Sequence, residues 1–468
     1  MSLKFGTSGL RGLAVDLQGS EARRYTAAFL RYLDWVGEKP TQLFLGRDLR
    51  PSSAQIMRDC AAAAASLGVQ AIDCGPLPTP ALALHAMAVG APSIMVTGSH
   101  IPADRNGLKF YRRQGEIGKA DEAGILSSLG AAPAGDYSAS VRDDSAAAAA
   151  RYRQRYAGVL PGDALAGWRI GVFEHSSVGR AALADILEGY GAQIIRLGRV
   201  EGFVAVDTEA FADAVFAPLR GWLVEHRLDA IVSADGDADR PLLMDAEGNY
   251  VRGDVLGLLA ARFLGADVVV TPVTSNTAIE ATGHFAEVVR TRVGSPYVIE
   301  GMQNALDQGA RCVVGFEANG GTLLGSAVNL GAVTLPPLMT RDALLPLVSA
   351  LGLAAQARQT LADLVAALPL RVALSDRLAD IPQHASAAFL ERLRHRPSGE
   401  DFFGVLGPVT RVSAIDGLQS WLADGTMIHY RASGNAPELR CYVEAHNAAR
   451  AEASLAWALA AARTALSP

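Results

Sequence analysis

Three aspartates on alternate positions, Asp235, Asp237 and Asp239, follow an apolar run in "AIVSADGDADRPLL". On an extended loop this alternation sends three carboxylates to one side, where they repel unless a cation lies between them. A hard divalent ion such as Mg²⁺ takes oxygen ligands of this kind and keeps room for a phosphate oxygen. An EF-hand competes for the same spacing, but it needs glycine at loop position 6 and glutamate at 12. Arg240 and Ala246 stand at those places, so the expectation is one Mg²⁺ with an open coordination position.

In "VTGSHIPADRNGLKFY", Ser99 and His100 sit on a glycine-flanked loop behind a strand ending at Val96. Such a serine is either a nucleophile or an acceptor of a phosphoryl group. No Asp-His spacing for acyl transfer accompanies it, so phosphoryl chemistry matches the metal loop better. Lys109 follows Asn106-Gly107, which reads as a turn returning the amine toward Ser99 as general acid/base or phosphate clamp. Glu317 and Asn319 in "VVGFEANGGTLLG" pair a carboxylate with an amide between glycines. They can chelate neighbouring hydroxyls of a sugar, although a plain glycine-rich turn explains the same residues. In "HYRASGNAPELRCYVEA", Arg431, Ser433, Gly434, Asn435 and Arg440 form a ready oxyanion site; the competing reading pairs the arginines with Glu438 and Glu444. Thr7, Ser8 and Arg11 in "KFGTSGLRG" offer a further anion contact.

The elements that must position these loops alternate along the chain. "QLFLGRD", "SIMVTGS", "RIGVFEH", "AIVSADGD", "DVVVTPV" and "RCVVGFE" read as buried strands. Alanine-rich stretches between them read as helices closing on glycine. This predicts an α/β protein of parallel βαβ units. Polar seams at "GAAPAGDYSASVRDDS", ahead of a linking helix, and at "AALPLRVALSDR", together with a restart of the strand pattern near residue 262, divide the chain into 1–145, 146–262, 263–368 and 369–468, the last α+β. No internal repeat is readable.

Composition narrows the partners. Half of the 468 residues are apolar and the formal net charge is −6, leaving no basic field for nucleic acid or an anionic membrane. The longest uncharged run, Cys74 to Ala103, holds five prolines that a spanning helix could not absorb, so no membrane is expected. Four scattered cysteines without CxxC spacing suggest neither zinc nor a disulfide framework, and with the absence of a signal-peptide pattern they point to a cytoplasmic protein.

Taken together, "TGSHIPADRNGLK", "DGDADR", "GFEANGG" and "RASGNAPELR" resemble, in order, the phosphoserine, metal, sugar and phosphate loops of the α-D-phosphohexomutase family, in its bacterial phosphomannomutase/phosphoglucomutase branch, over essentially the whole chain. The resemblance implies four domains around a central cleft, three related mixed α/β sheet domains and a C-terminal α+β domain, each supplying one loop. It implies that Ser99 is phosphorylated and, with Asp235, Asp237 and Asp239, holds Mg²⁺. Lys109, His100 and Arg11 would handle the hydroxyl proton, and Arg240 would lie near the phosphoserine. Glu317 and Asn319 would hold the sugar of a hexose phosphate substrate in either orientation, while the 431–440 loop grips its other phosphate. Hexose 1,6-bisphosphate is the implied intermediate and activator, and the protein is expected as a monomer or weak homodimer.

Three departures stand out: Ile101 where the family usually has asparagine, Asn435 and Ala436 where threonine and glutamate are common, and Gly321 where many members have histidine. The "GFEANGG" form resembles enzymes of mannose phosphate and nucleotide-sugar precursor supply, implying mannose phosphate as substrate, with glucose phosphate and then glucosamine phosphate as alternatives. An aspartate-nucleophile phosphatase would use the metal loop for attack but leaves Ser99 and the terminal loop unexplained. A non-catalytic sugar-phosphate sensor would not need Ser99, Lys109 and all three aspartates together.

Overall fold

The structure, a computed structural model, describes residues 3–6, 9–133, 141–209, 214–434 and 437–466. Thr7, Ser8, Asn435 and Ala436, and residues 134–140 of the seam before the linking helix, lie outside them. The chain forms two compact units, one of residues 1–270 and 294–365, the other of 271–293 and 366–468.

The first unit holds three mixed sheets. In the first, the strand order is Lys4–Phe5, Leu10–Leu13, Arg105–Arg112, Ser93–Val96, Gln42–Arg47, Gln70–Pro76 and Arg142–Asp143, with Gly115–Glu116 added beside Arg105–Arg112. Gln42–Arg47 runs parallel to both Gln70–Pro76 and Ser93–Val96. The second sheet runs Gln193–Leu197, Arg169–Phe173, Ala230–Ala234, Pro241–Asp245 and Tyr250–Val251. The third takes Val268–Pro272, Val313–Phe316, Thr322–Leu324 and Leu338–Asp342. Ser93–Val96, Ala230–Ala234 and Val313–Phe316 are buried at every residue, as strands covered by helices on both faces must be.

One pattern recurs in all three. An apolar strand with a parallel neighbour on one side turns through a short loop into an antiparallel neighbour on the other: Ser93–Val96 into Arg105–Arg112, Ala230–Ala234 into Pro241–Asp245, and Val313–Phe316 into Thr322–Leu324. The three loops are those of Ser99, of the aspartates and of Glu317. Strand ends of this kind are where α/β sheets bind ligands. The repeat is invisible in sequence because it is a repeat of pairing, carried by different residues each time.

Local propensity misleads at Asn106-Gly107. These residues do not turn the chain; they lie inside strand Arg105–Arg112. Gly107 pairs with Arg11 and receives the Thr97 N–H, and a Cβ there would come within 2.4 Å of the Leu10 carbonyl oxygen. Asn106 spends its amide on the hydroxyls of Ser52 and Ser53. Pairing on both sides overrides a two-residue turn preference.

In the second unit, strands Val372–Leu378, Leu439–Ala445, Met427–Ala432, Leu418–Leu422 and Val409–Ser413 form an antiparallel sheet. Helices Gln383–Arg394 and Ala448–Leu466 pack on it through Phe389, Leu390, Leu393, Ala458 and Ala462. Among the described residues no helix is long and apolar enough to cross a membrane, and the four cysteines are free thiols.

His429 is buried in this sheet, its Nε2–H donating to the Asp416 carbonyl oxygen at 2.6 Å and its ring stacked on Tyr442. Burial, only partly opposed by that bond, holds its pKa down to about 4. The unfolded chain therefore binds this proton near the ordinary value of about 6.5 while the folded chain refuses it, so stability is lost as pH falls from about 6.5 toward 4. The slope from this one group reaches about 1.4 kcal/mol per pH unit. His429→Gln is expected to flatten the fall of the thermal midpoint across that window relative to wild type; parallel curves would contradict the assignment.

Candidate active site

The aspartate loop closes on itself before it meets anything else. Asp235 Oδ1 accepts the backbone N–H groups of Asp239 and Arg240, at 3.1 and 3.2 Å. Ala238 takes a φ of 57°, in the left-handed region. The three carboxyl groups are fully buried, and one oxygen from each lies within 4.8 Å of the others. Burial and the charges of Asp237 and Asp239 push the Asp235 carboxyl well above the ordinary carboxylate range. Asp239 goes the other way: burial alone would raise it, but Arg341, Lys109 and Arg240 hold it far below. Asp237 Oδ1 and Asp239 Oδ1 are buried with no hydrogen-bond partner. Clustered carboxylates, orphaned oxygens and an all-oxygen donor set fit a hard divalent cation, which would offset the repulsion.

Ser99 is set against this cluster. Its Oγ donates to Asp235 Oδ2 at 2.5 Å, and its backbone takes a φ of 54°. A non-glycine residue in this region must be held there by its surroundings. Arg50 does so: buried beneath the loop, it donates to the carbonyl oxygens of Ser99, Ile101, Pro102 and Arg105 at 2.6 to 2.9 Å and to Asp48 at 3.1 Å. Gly98 makes room for it, since a Cβ there would fall 2.5 Å from Arg50 Cζ. Asp48 in turn accepts the hydroxyls of Thr97 and Ser53.

Lys109 reaches the aspartates, not the serine. Its Nζ lies 2.6 Å from Asp237 Oδ2 and 2.5 Å from Asp239 Oδ2. Burial opposes its charge, but those two carboxylates keep its pKa above the ordinary lysine value. His100 Nδ1 is 3.4 Å from Ser99 Oγ, and burial, then Arg240 and Arg11, drive its pKa down to about 2, so the ring is neutral. Arg11 is lowered to about 10 by burial and by the charges of Arg240 and Arg341. Arg240 sits 3.9 Å from Asp239 and 3.6 Å from Glu209.

The Glu317 loop is a tight turn in which the Gly320 N–H donates to the Glu317 carbonyl. Asn319 spends its Oδ1 on the Gly321 N–H. Glu317 is tied to the aspartates through Arg341, which sequence reasoning misses: its guanidinium donates to Glu317 Oε2 and Asp239 Oδ2, both at 2.7 Å. Thr79, also missed, donates its hydroxyl to Asp237 Oδ2 at 2.5 Å. The only sequence signal for either is a polar residue beside an apolar run, "LMTRD" and "PLPTPA".

Ser99, His100, Lys109, Arg11, Arg240, the three aspartates and Glu317 are thus gathered in the first unit. Arg11, Lys109, Arg240 and Arg341 face Asp235, Asp237, Asp239 and Glu317, four cations against four carboxyl groups. A divalent ion added to that balance leaves a positive surplus suited to a phosphoryl group. Arg431, Ser433, Gly434 and Arg440 belong to the second unit, on the hairpin from Met427–Ala432 to Leu439–Ala445. Arg431 and Arg440 are cross-strand partners there, and Arg377 is paired with Arg440 on the other side. Three guanidiniums in one row repel, which an anion would relieve. Arg431 also pairs with Asp416 at 2.7 Å and Arg440 lies 3.6 Å from Glu438, while Glu444 instead binds Thr277.

Residues 2–133 match the phosphoglucomutase/phosphomannomutase α/β/α domain I, and residues 252–372 match the α/β/α domain III. A phosphomannomutase of Sinorhizobium fredii is 48% identical over 468 residues, 98% of each chain. The chain belongs to the α-D-phosphohexomutase family. This makes it an isomerase that moves a phosphoryl group. A second relative in the family, a phosphomannomutase of Salmonella muenchen, is 41% identical over 95% of this chain and 92% of its own. The phosphohexomutase fold is shared with a crystal structure of a phosphoglucomutase/phosphomannomutase family protein from Burkholderia thailandensis, 20% identical, with a TM-score of 0.74 over 99% of this chain and 97% of that one.

Two outcomes follow from the site geometry. Mg²⁺ at about one hundred times its dissociation constant is expected to stabilise the wild type by about 2.7 kcal/mol, seen as a rise in thermal midpoint that EDTA reverses. Asp237→Asn should abolish most of that rise, and an unchanged rise would place the cation elsewhere. Arg50→Met leaves Asp48 buried without its cation and is expected to cost about 3 to 5 kcal/mol in denaturant unfolding; a loss below about 1 kcal/mol would show that Arg50 does not hold the serine loop.

Proposed function

We propose that the protein is a phosphomannomutase, reversibly interconverting mannose 6-phosphate and mannose 1-phosphate through a phosphorylated Ser99 and a hexose 1,6-bisphosphate. The observation that carries this reading is a serine hydroxyl 2.5 Å from Asp235 in a buried three-aspartate cluster rimmed by Lys109, Arg11, Arg240 and Arg341. The names of the relatives at 48% and 41% identity support the choice of sugar. Mannose and glucose differ at one hydroxyl, so glucose phosphate is the alternative substrate.

In the first transfer the bond from Ser99 Oγ to phosphorus breaks as a hydroxyl oxygen of the hexose phosphate bonds to the same phosphorus, and the hydroxyl proton passes by way of His100 to the Ser99 oxygen left behind; of Lys109, His100 and Arg11, His100 alone has a free ring nitrogen to relay it, while the two cations hold positive charge beside it. The bisphosphate then turns end for end, and its other phosphoryl group returns to Ser99 by the reverse step. Asp235, Asp237 and Asp239, with the oxygen of Ser99, would hold Mg²⁺, which when bound withdraws charge from the transferring phosphoryl oxygens. Lys109, Arg11 and Arg240 supply further positive charge where the phosphoryl group moves. Glu317 and Asn319 bind sugar hydroxyls, and the 431–440 loop binds the phosphate that does not react. We assign one loop to each of four domains, 1–145, 146–262, 263–368 and 369–468, and a cytoplasmic location.

An aspartate-nucleophile phosphatase would leave the serine idle. Turnover of mannose 1-phosphate and glucose 1-phosphate, measured with Mg²⁺ and a trace of hexose 1,6-bisphosphate, separates these readings. Isomerisation favouring mannose, and lost by more than about a thousandfold in Ser99→Ala, is the expected result. Comparable kcat/KM for both sugars would make it a dual-specificity enzyme, and full activity of Ser99→Ala would sink the phosphoserine mechanism.

A further inference from the structure

Arg341 is a side chain of the first unit that no sequence motif announces and that bridges two of its loops. It stands on strand Leu338–Asp342, is 3% exposed, and donates one nitrogen to the sugar loop at Glu317 and another to the metal loop at Asp239. Its anchorage is equally specific. The next residue, Asp342, accepts the hydroxyls of Tyr152 and Tyr156, at 2.7 and 2.5 Å, and the Leu344 N–H at 2.9 Å, so the strand end cannot shift without breaking three buried bonds.

The sugar loop is shaped around this arginine. A Cβ on Gly321 would fall 2.7 Å from Arg341 Cδ and 2.8 Å from the Asp239 carbonyl oxygen, below any tolerated contact. The space beside Glu317 is therefore filled from the neighbouring strand, and position 321 has to stay without a side chain. Burial opposes the guanidinium charge, but Asp239, Glu317 and Glu116 together hold it firmly protonated. Glu317 thus keeps one oxygen fixed on Arg341.

We propose that Arg341 is a positioning residue for phosphosugar binding: it locks the sugar loop to the metal loop, with Gly321 left bare to admit it. The role rests on the phosphohexomutase reading for its substrate, but the mechanical coupling does not. With the two loops locked, a hydroxyl held by Glu317 stands at a fixed distance from the phosphoryl group at Ser99, and a displacement of about 1 Å at such a site costs about a hundredfold in rate.

Two measurements test this. In kinetics with mannose 1-phosphate and glucose 1-phosphate, Arg341→Met and Glu317→Gln are each expected to lower kcat/KM by about a hundredfold, and the double variant by no more than about tenfold beyond either single change. The ratio of kcat/KM between the two sugars should also shift at least about threefold in Arg341→Met, which general damage to the fold would not produce. Losses that multiply across the double variant, or an unchanged sugar ratio, would overturn the proposal. Arg341→Lys, which retains a cation but not the planar fork, should fold like wild type and still shift the ratio. In hydrogen exchange, read without any substrate, Arg341→Met should speed exchange in both the 317–321 and 236–239 segments. Unchanged protection there would refute the coupling even if the wild type isomerises both sugars, whereas faster exchange in Arg341→Met, with a wild type that isomerises neither sugar, would uphold the coupling and reject the mutase reading.

Discussion

Three buried carboxylates within 4.8 Å of one another are the constraint on which the rest of the first unit depends. Such a cluster is unstable by itself, and cationic side chains offset it here. Lys109 and Arg341 place cationic nitrogens directly on the aspartates, while Arg11 and Arg240 act from a little further away. A divalent cation suits the oxygens that these side chains leave unbonded. The pull on the individual groups is uneven, with Asp235 raised and Asp239 lowered, because the cations crowd toward Asp239. Ser99 is hydrogen-bonded to the aspartate that is raised, so its oxygen meets the least negative part of the cluster, the side on which an incoming phosphoryl group is least repelled.

Holding so many charges out of water requires rigid supports, and the fold supplies them by repetition. Each of the three loops of the first unit joins a fully buried strand to an antiparallel neighbour, so both ends of every loop are fixed by ladder hydrogen bonds. Two of the loops also grip a buried arginine at a bare glycine, Gly98 over Arg50 and Gly321 against Arg341. In both cases the guanidinium replaces what a loop lacks, a regular set of partners for its own carbonyl or carboxylate oxygens. Its fork of fixed donors suits that task better than a lysine would.

The sequence is legible where chemistry is written in consecutive residues. Apolar runs such as "CVV" and "AIVSA" stop at glycine or aspartate, and the polar residues just beyond them are the loops of the site. Four such loops in order suffice to suggest the family. What lies outside this reach is any contact created by folding. Arg341 meets Asp239 across 102 residues and Thr79 meets Asp237 across 158, and a polar residue beside an apolar run is too common a pattern to mark either. Asn106-Gly107 shows the opposite failure, a strong local turn signal overruled by neighbours on both sides. Lys109 is foreseeable as a site residue but not in its contacts, since a side chain's partner depends on which face of its strand meets the aspartate loop.

The two units gather positive charge in different ways. The first combines its cations with carboxylates, a serine held in a left-handed conformation and a cluster suited to a metal, all of which favour making and breaking bonds to phosphorus. On the hairpin of the second unit, Arg431, Arg440 and Arg377 stand in one cross-strand row, partly offset by Asp416 and Glu438, with no cluster of aspartates among its described residues. Such a row attracts a phosphate and, lacking a metal cluster, gives it no reason to react. Charge alone would draw an anion to either place. The difference between the two is one of chemistry, not of charge: the first is suited to transferring a phosphoryl group, the second only to holding an anion.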